Sequence, residues 1–305
     1  MSSPPPASDV RAARFTRLAE LPLDSLGGSS SGYRGWSSLK EIFGRREMLD
    51  LMIRRDLKAR YKDSSLGFMW SLVRPLTQLA IYYVVLGQFL GAARGIPDFA
   101  IYVFTGLTAY TLFSEMVLGG AGSIVNNGGL VKKIYLPREI FPLASVGSAI
   151  FNFGIQLGIL LLATLVFGVF PAHAEILYFI PGLALILVYG TAFALILSAV
   201  NVFLRDIQYL VEVIVMLLMW ASPIVYSWTM VKETVPPWLL EIYTDNPITL
   251  AVMGFQKAFW VSGPESSYPD DLLLRMSIAL VIGLVGMVAA HAVFNRMQGD
   301  FAQAL

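Results

Sequence analysis

Cysteine is absent from the 305-residue chain, and histidine occurs only at His173 and His291. Without cysteine, the chain can form no disulfide framework, no thiolate metal site and no cysteine nucleophile. Two histidines so far apart in the sequence also argue against a zinc or di-metal centre. The phosphate-binding pattern GxxxxGK followed by Ser or Thr and the zinc-protease pattern HExxH are missing as well. We therefore expect no catalytic site, metal or cofactor within this chain.

Charged side chains are scarce, at 14% of the chain against 56% apolar residues. A soluble domain carries about 25% charged residues, and here the deficit is concentrated in long uncharged runs. This distribution is typical of an all-α integral membrane protein, in which each helix needs about 20 mostly apolar residues to cross the hydrocarbon core. Six runs predict six transmembrane helices, at approximately residues 68–90, 99–124, 140–168, 175–200, 208–228 and 271–294.

Lysine and arginine are distributed unevenly between the two ends of these predicted helices. If the N-terminus is cytoplasmic, all but four of the 22 basic residues lie on the cytoplasmic side, the exceptions being Arg94, Lys232, Lys257 and Arg275. Cytoplasmic loops of membrane proteins carry an excess of basic residues. We therefore predict that both the N- and the C-terminus are cytoplasmic.

Two segments precede the first predicted span. Residues 1–38 are rich in Pro, Ser, Ala and Gly, which predicts a disordered cytoplasmic tail. Residues 39–66 are predicted to form an N-terminal amphipathic helix in the membrane interface, because apolar residues recur every fourth position opposite a basic face. The apolar stripe consists of Leu49, Ile53, Leu57 and Tyr61. The basic face indicates either a simple topology anchor or a collar that binds anionic groups.

The segment between the fifth and sixth spans contains apolar pieces that are too short to cross a bilayer. Pro236-Pro237 and Asn246-Pro247 interrupt the apolar run. Short apolar helices of this kind suit re-entrant positions, where protein or water must satisfy the irregular backbone. We predict a re-entrant helical hairpin at residues 235–262 on the outer face. A loop lying flat on the outer headgroups is the alternative.

The loop between the second and third spans, residues 126–139, reads NNGGLVKKIYLPRE. Its asparagines and glycines end one helix, and Pro137 ends the short helix that follows. A compact basic element on the cytoplasmic side suits docking into a groove of a partner protein. An ordinary positive-inside loop is the alternative.

Polar and aromatic residues within the spans are candidate functional groups. Glu115 lies in the middle of the second span, where we expect it to pair with a neighbouring helix. Tyr82, Tyr110 and Tyr226 lie at the middle or outer depth, and aromatic faces stack well on the apolar C–H surface of sugar rings. These tyrosines are therefore candidate channel aromatics, with helix packing or an interfacial belt as the alternative.

Four motifs occur in order along residues 45–295. The first is Arg55-Asp56-Leu57-Lys58-x-Arg60-Tyr61-Lys62-x-Ser64-x-Leu66-Gly67-x-x-Trp70, followed by Pro75-Leu76. The others are Leu130-x-Lys132-Lys133-x-x-x-Pro137-Arg138, then Asn201-Val202-Phe203-x-Arg205-Asp206, and then Ser222-Pro223-Ile224-x-Tyr226 with Asn246-Pro247. Together they resemble the polysaccharide-exporting ABC-2 permeases, which are the membrane subunits of O-antigen, teichoic acid and capsule exporters.

This resemblance implies the ABC-2 permease fold, with a six-span domain at residues 67–296 that forms a homodimer. Two copies of a separate ATPase subunit would bind ATP and Mg. Residues 126–139 would be the coupling helix that docks on that subunit, through Leu130, Lys132, Lys133, Tyr135, Pro137 and Arg138. The lipid pyrophosphate would be admitted near Arg55, Lys58, Arg60, Tyr61, Lys62, Leu66, Gly67 and Trp70.

The function implied is that of a transport subunit, not an enzyme. It would export polyprenyl-pyrophosphate-linked polysaccharide, such as O-antigen, teichoic acid or cell-wall galactan, across the bacterial cytoplasmic (inner) membrane, with no role for nucleic acid. The alternatives are an ABC-2 permease for small hydrophobic drugs, an ion-coupled carrier and a membrane-embedded glycan-processing enzyme. A carrier is expected to show paired intramembrane charges, which the spans do not clearly contain.

Overall fold

The computed structural model describes residues 44, 46–61, 69–89, 91, 94–133 and 136–305. Within these ranges every regular element is a helix, which confirms the predicted all-α class. The predicted tail at residues 1–38 lies outside the described residues. The α-helices are α1 (Arg46–Tyr61), α2 (Trp70–Ile81), α3 (Phe99–Asn126), α4 (Gly128–Lys133), α5 (Ile140–Val166), α6 (Phe179–Phe203), α7 (Ile207–Trp220), α8 (Trp228–Thr234), α9 (Pro237–Thr244), α10 (Pro247–Phe259), α11 (Leu272–Met297) and α12 (Phe301–Ala304).

Four helical segments of the described chain are long and apolar enough to cross a membrane. They correspond to the second, third, fourth and sixth predicted spans: Phe99–Asn126, Ile140–Val166, Ala174–Phe203 and Glu265–Asp300. The helix α3 lies at the centre of the bundle, where it packs against α5, α6 and α10, whereas α11 is peripheral and packs mainly on α6. The apolar core is therefore organised around α3.

The first and fifth predicted spans have a different form. The helix α2 continues directly into a π-helix at Tyr82–Phe89, and none of its side chains is buried. The helix α7 has 14 residues, which at 1.5 Å per residue extends for about 21 Å, short of the roughly 30 Å hydrocarbon core. Six membrane crossings therefore stay a prediction. Four of the six predicted spans are continuous helices that are long enough to cross a membrane.

The chain leaves the helical conformation after Trp220, within the bundle, and its carbonyl groups are paired by side chains from other helices. The Tyr102 hydroxyl lies 2.8 Å from the carbonyl oxygen of Pro223 and 2.7 Å from that of Tyr226. The Gln256 amide donates to the same Pro223 oxygen at 2.6 Å. Irregular backbone at membrane depth is stable only with such partners. Tyr102 of α3 and Gln256 of α10 thus stabilise the break that follows α7.

The outer segment folds into three helices whose boundaries follow the prolines. Pro237 and Pro247 each occupy the first turn of a helix, and the Asn246 side chain accepts a hydrogen bond from the Ile248 amide at 3.0 Å. The predicted helix breaks at Pro236-Pro237 and Asn246-Pro247 are therefore confirmed, whereas the re-entrant hairpin at 235–262 stays a prediction. The helix α10 is almost wholly buried, whereas α9 exposes apolar side chains such as Trp238.

A charged cluster joins α9 to the start of α11. The Arg275 guanidinium lies 2.6 Å from a carboxylate oxygen of Glu241, 2.7 Å from Asp245 and 2.8 Å from Asp271. Three carboxylates around one guanidinium hold α9 against the sixth predicted span. Arg275 is therefore an ion-pairing residue at a helix end.

We expect Tyr102→Phe to lower the melting temperature of the detergent-solubilised protein, because the substitution removes the one hydroxyl donor that the carbonyl groups of Pro223 and Tyr226 share. An unsatisfied buried polar group costs about 1–3 kcal/mol. Tyr209→Phe is the matched control, since Tyr209 on α7 is 69% exposed. Equal melting temperatures for the two variants would contradict the proposed capping role.

The crossing of α3 and α6 depends on Gly120. A Cβ atom at this position would lie 2.7 Å from the Cα of Ala194, so Gly120→Ala forces the two backbones apart. We expect it to destabilise the fold by about 1–3 kcal/mol. Gly154→Ala on α5 has open space around it and is expected to be neutral, which thermal unfolding of both variants will test.

Candidate functional site

The loop after α3 forms the short helix α4, as the sequence predicts. Val131 is buried, whereas Lys132 and Lys133 are exposed and carry their charges away from the protein. Leu130 is half-buried and packs against neighbouring apolar residues. Tyr135 lies outside the described residues. The helix α4 therefore presents a basic outer face on an apolar base.

The base beneath α4 is an apolar cluster, here called the basal cluster, which is separate from the main core. It brings together residues of α1, α3, α4, α5, α6, α11 and α12, which lie far apart in the sequence. Its buried members are Met52, Ile124, Val131, Ile140, Phe141, Ala144, Leu195, Ala199, Val202, Phe294 and Phe301. Because α4 has only six residues, these contacts, and not its own helical stability, hold it in place.

The residues after α4 contact the end of the chain. Pro137 is half-buried, and the Arg138 guanidinium lies 5.6 Å from the centroid of the Phe301 ring, within the range of a cation–π interaction. Glu139 is 2% exposed, and its carboxylate lies 3.9 Å from the imidazole of His291 on α11. The segment that follows α4 is thus joined to both α11 and α12.

The helix α1 packs on the protein through its apolar face. Met52 is buried in the basal cluster, and Ile53 lies against the backbone of Gly147 on α5. On the same helix, the Arg55 guanidinium contacts the side-chain oxygen of Asn127 at 2.7 Å. The amphipathic helix predicted from the sequence therefore contacts α5 and the loop before α4.

Only some of the residues predicted to admit the pyrophosphate can be placed. Arg55 also forms an ion pair with Asp56 at 2.7 Å, and Lys58 is exposed. Trp70 begins α2, where its side chain is 41% exposed and lines a cavity. Lys62, Leu66 and Gly67 and the side chains of Arg60 and Tyr61 lie outside the described residues. Arg55 is thus engaged with the protein, whereas Trp70 and Lys58 are accessible.

The cavity that Trp70 lines has a volume of about 480 Å³ and lies between α2, α3 and α5. Its lining includes Glu115, whose carboxylate accepts a hydrogen bond from the Asn152 amide at 2.6 Å. The expected pairing of Glu115 with a neighbouring helix is confirmed. The sequence analysis missed Asn152 and Gln156, which are uncharged residues in an apolar run. The signal that could have found them is their spacing of four positions, which places both on one face of α5.

Two of the three candidate channel tyrosines contact α7 through their hydroxyl groups. Tyr110 is buried, and its hydroxyl donates to the carbonyl oxygen of Val215. Tyr82 is half-buried, and its hydroxyl lies 4.0 Å from the sulfur of Met219. Within one subunit these tyrosines join α3 and the π-helix to α7, and a role in the channel stays a prediction.

The third candidate, Tyr226, is half-buried beside the end of α7. Its hydroxyl donates to the carbonyl oxygen of Trp220 at 2.5 Å and accepts from the Tyr243 hydroxyl at 3.3 Å. Burial raises the pKa of Tyr243 far above its usual value, so this hydroxyl stays protonated and available as a donor. Tyr226 therefore connects the break after α7 to α9.

Comparison with known proteins gives the following matches. The family described as ABC-2 type transporter matches residues 48–260. The chain is 29% identical to the O-antigen export system permease protein RfbA of Myxococcus xanthus over 269 residues, which are 88% of this chain and 98% of that protein. A protein of the same name from Klebsiella pneumoniae is 27% identical over 272 residues, covering 88% and 100% of the two chains. The polysialic acid transport protein KpsM of Escherichia coli is 27% identical over 84 residues, which are 27% of this chain and 32% of that protein.

Phe301→Ala is expected to loosen α4, because Phe301 is fully buried in the basal cluster. Loss of a buried phenylalanine costs about 3–5 kcal/mol. Hydrogen exchange at residues 124–133 should therefore become faster. The matched control is Phe167→Ala, since Phe167 is 57% exposed at the far end of α5. Unchanged exchange in the Phe301 variant would contradict the role assigned to the basal cluster.

Proposed function

The chain belongs to the ABC-2 type transporter family, and we propose that it is the permease subunit of an ATP-driven polysaccharide exporter. Its cargo is a glycan on a polyprenyl pyrophosphate carrier, moved across the bacterial cytoplasmic (inner) membrane. The observation that carries this proposal is the near full-length similarity to permeases named for O-antigen export. The partial match to a polysialic acid transport protein supports the same class of cargo.

In this proposal the permease has six spans and functions as a homodimer. The first span is α2 with the π-helix, and the fifth is α7 with the residues that follow it. Two observations support this arrangement. The two segments adjoin, since Tyr82 contacts Met219. Both expose apolar side chains within the single subunit, including Val85, Phe89 and Leu217. A second copy of the chain would cover these apolar side chains.

The ATPase subunits bind ATP and Mg and dock on α4. Support comes from the exposed Lys132 and Lys133, which are placed on a rigid base of apolar contacts. Because the basal cluster also includes α1, α5 and α11, a displacement of α4 by the ATPase acts on several helices together. This chain thereby converts a movement at one end of the bundle into a change in the arrangement of its spans.

The cargo enters from the cytoplasmic side and leaves past the outer hairpin. The pyrophosphate is received by Arg55, Lys58, Arg60, Tyr61, Lys62, Leu66, Gly67 and Trp70. The hairpin at 235–262 is re-entrant, which the burial of α10 and its hydrogen bonds to the irregular backbone support. Tyr82, Tyr110 and Tyr226 form part of the channel wall.

Lys132→Glu combined with Lys133→Glu is expected to separate ATP hydrolysis from export. Both side chains are exposed, so the fold should persist while the charge presented to the ATPase is reversed. In proteoliposomes that contain the ATPase subunit, glycan export should fall by about tenfold or more, the equivalent of losing about 1.4 kcal/mol of coupling. Lys132→Arg with Lys133→Arg is the control and should retain export.

Two results would count against the proposal. Unaltered export by the glutamate variant would place the docking surface elsewhere on the chain. Glycan export by the purified chain alone, in vesicles without an ATPase subunit, would contradict the assignment as an ATP-driven permease.

A further inference from the structure

The cavity between α2, α3 and α5 has polar side chains on all three of its walls. Each helix contributes a pair of polar residues that are four positions apart and therefore share one face. The pairs are Arg74 and Gln78, Thr111 and Glu115, and Asn152 and Gln156. Polar residues within membrane-embedded helices are expensive unless they face each other, water or a ligand. Three such faces converging on one space of about 480 Å³ indicate a polar occupant.

Two deeply buried amides in this cavity have unused hydrogen-bonding capacity. Asn152 is 8% exposed, and its amide nitrogen donates to Glu115. A carboxylate only accepts hydrogen bonds, so this contact sets the orientation of the amide. The Asn152 oxygen is left without a partner. Gln156 is 7% exposed, and its amide has no hydrogen-bond partner among the described residues. Leaving buried polar atoms unpaired is unfavourable, so a ligand that pairs them gains affinity.

The chemistry of the lining selects a neutral ligand with several hydroxyl groups. The Asn152 oxygen requires a donor, whereas the Arg74 guanidinium requires an acceptor. A hydroxyl group supplies both, and the amides of Gln78 and Gln156 bind it in either role. A free anion would meet Glu115, and a cation would meet Arg74. Trp70 adds an aromatic surface at the same cavity, which suits the C–H face of a sugar ring. The volume lies within the range of about 300–1,000 Å³ that is usual for small-molecule sites.

We propose that this cavity within each subunit binds a sugar of the lipid-linked cargo through Arg74, Asn152 and Gln156. The inference rests on the proposed function and adds to it a carbohydrate site inside a single subunit, distinct from the basic residues assigned to the pyrophosphate. The same hydroxyl chemistry occurs in the glycerol headgroup of phosphatidylglycerol, which the experiment must separate from a glycan.

The absence of native cysteine makes a direct test possible, because any thiol is an introduced one. We would place Thr111→Cys, which lines the cavity without being one of the three proposed contacts, in the full chain, assemble it with its ATPase subunit in nanodiscs, and measure the rate of maleimide labelling. The probe is a polyprenyl pyrophosphate carrying a short hexose oligosaccharide. The sugar-bearing carrier should slow labelling by about tenfold, the effect of roughly 90% occupancy, whereas the bare carrier should not. Ser266→Cys, exposed outside the cavity, is the control and should label at one rate throughout.

Three outcomes would overturn the sugar site. These are labelling of Thr111→Cys that is unaffected by the oligosaccharide, slowed equally by the bare carrier, or slowed by phosphatidylglycerol in the absence of any carrier. The last result would assign the cavity to a lipid headgroup. Export measured on the wild-type complex separates this inference from the proposed function. If the wild-type complex exports glycan and none of the protection is seen, only the sugar site fails; if it exports none, the proposed function fails.

Gln156→Leu provides a second variant in which the fold is expected to persist, because Gln156 has no partner within the described protein that could be lost. With Thr111→Cys as the reporter, half-protection should require about tenfold more sugar-bearing carrier, the usual effect of removing one hydrogen bond. Leu157→Met, the adjacent half-buried position on α5, is the control for a change in packing. Equal protection in the Gln156→Leu and Leu157→Met variants, at an unchanged melting temperature, would contradict the proposed contact.

Discussion

Every carbonyl group at membrane depth needs a hydrogen-bond donor, and this requirement is hardest to meet where a helix stops inside the bundle. In this protein α7 stops at Trp220, and the residues up to Ser227 form turns. Tyr102 from α3 and Gln256 from α10 supply donors to that segment. The helix α10 can reach that segment because it is buried beside α3. Three features therefore depend on the same hydrogen bonds: the central position of α3, the break after α7 and the burial of α10.

The opposite end of the bundle is organised by apolar contact. The basal cluster holds α4 against α1, α5 and α11, and the end of the chain closes it through Phe301. A six-residue helix has little stability of its own, so its orientation is set by its neighbours. In the proposed exporter this makes α4 a rigid contact for the ATPase. The polar cavity lies against α2, which has no buried side chains, so the wall formed by α2 is the one least constrained by packing.

Several features follow from local properties of the sequence. Long uncharged runs predicted the second, third, fourth and sixth spans, because crossing length is a matter of counting apolar residues. Pro237 and Pro247 predicted where α9 and α10 begin, since proline is accepted in the first helical turn and disrupts later ones. Lys132 and Lys133, followed by Pro137, predicted a short basic helix, although Gly128 and Gly129, which were expected to end the preceding helix, begin α4 itself. The form of the first and fifth predicted spans could not be predicted in this way. Hydropathy does not indicate a π-helix or a helix that ends early.

The amino-acid sequence alone predicted the class of protein, the four long spans and the exposed basic face of α4. Each of these features depends on residues that are close together in the chain. Contacts between residues that are far apart in the sequence were determined only by the tertiary structure. Asn152 meets Glu115 across 37 positions, and Phe301 comes to lie beneath Arg138. The cavity and the basal cluster exist only where such residues converge, and a periodic pattern of apolar positions does not specify which helix faces are neighbours.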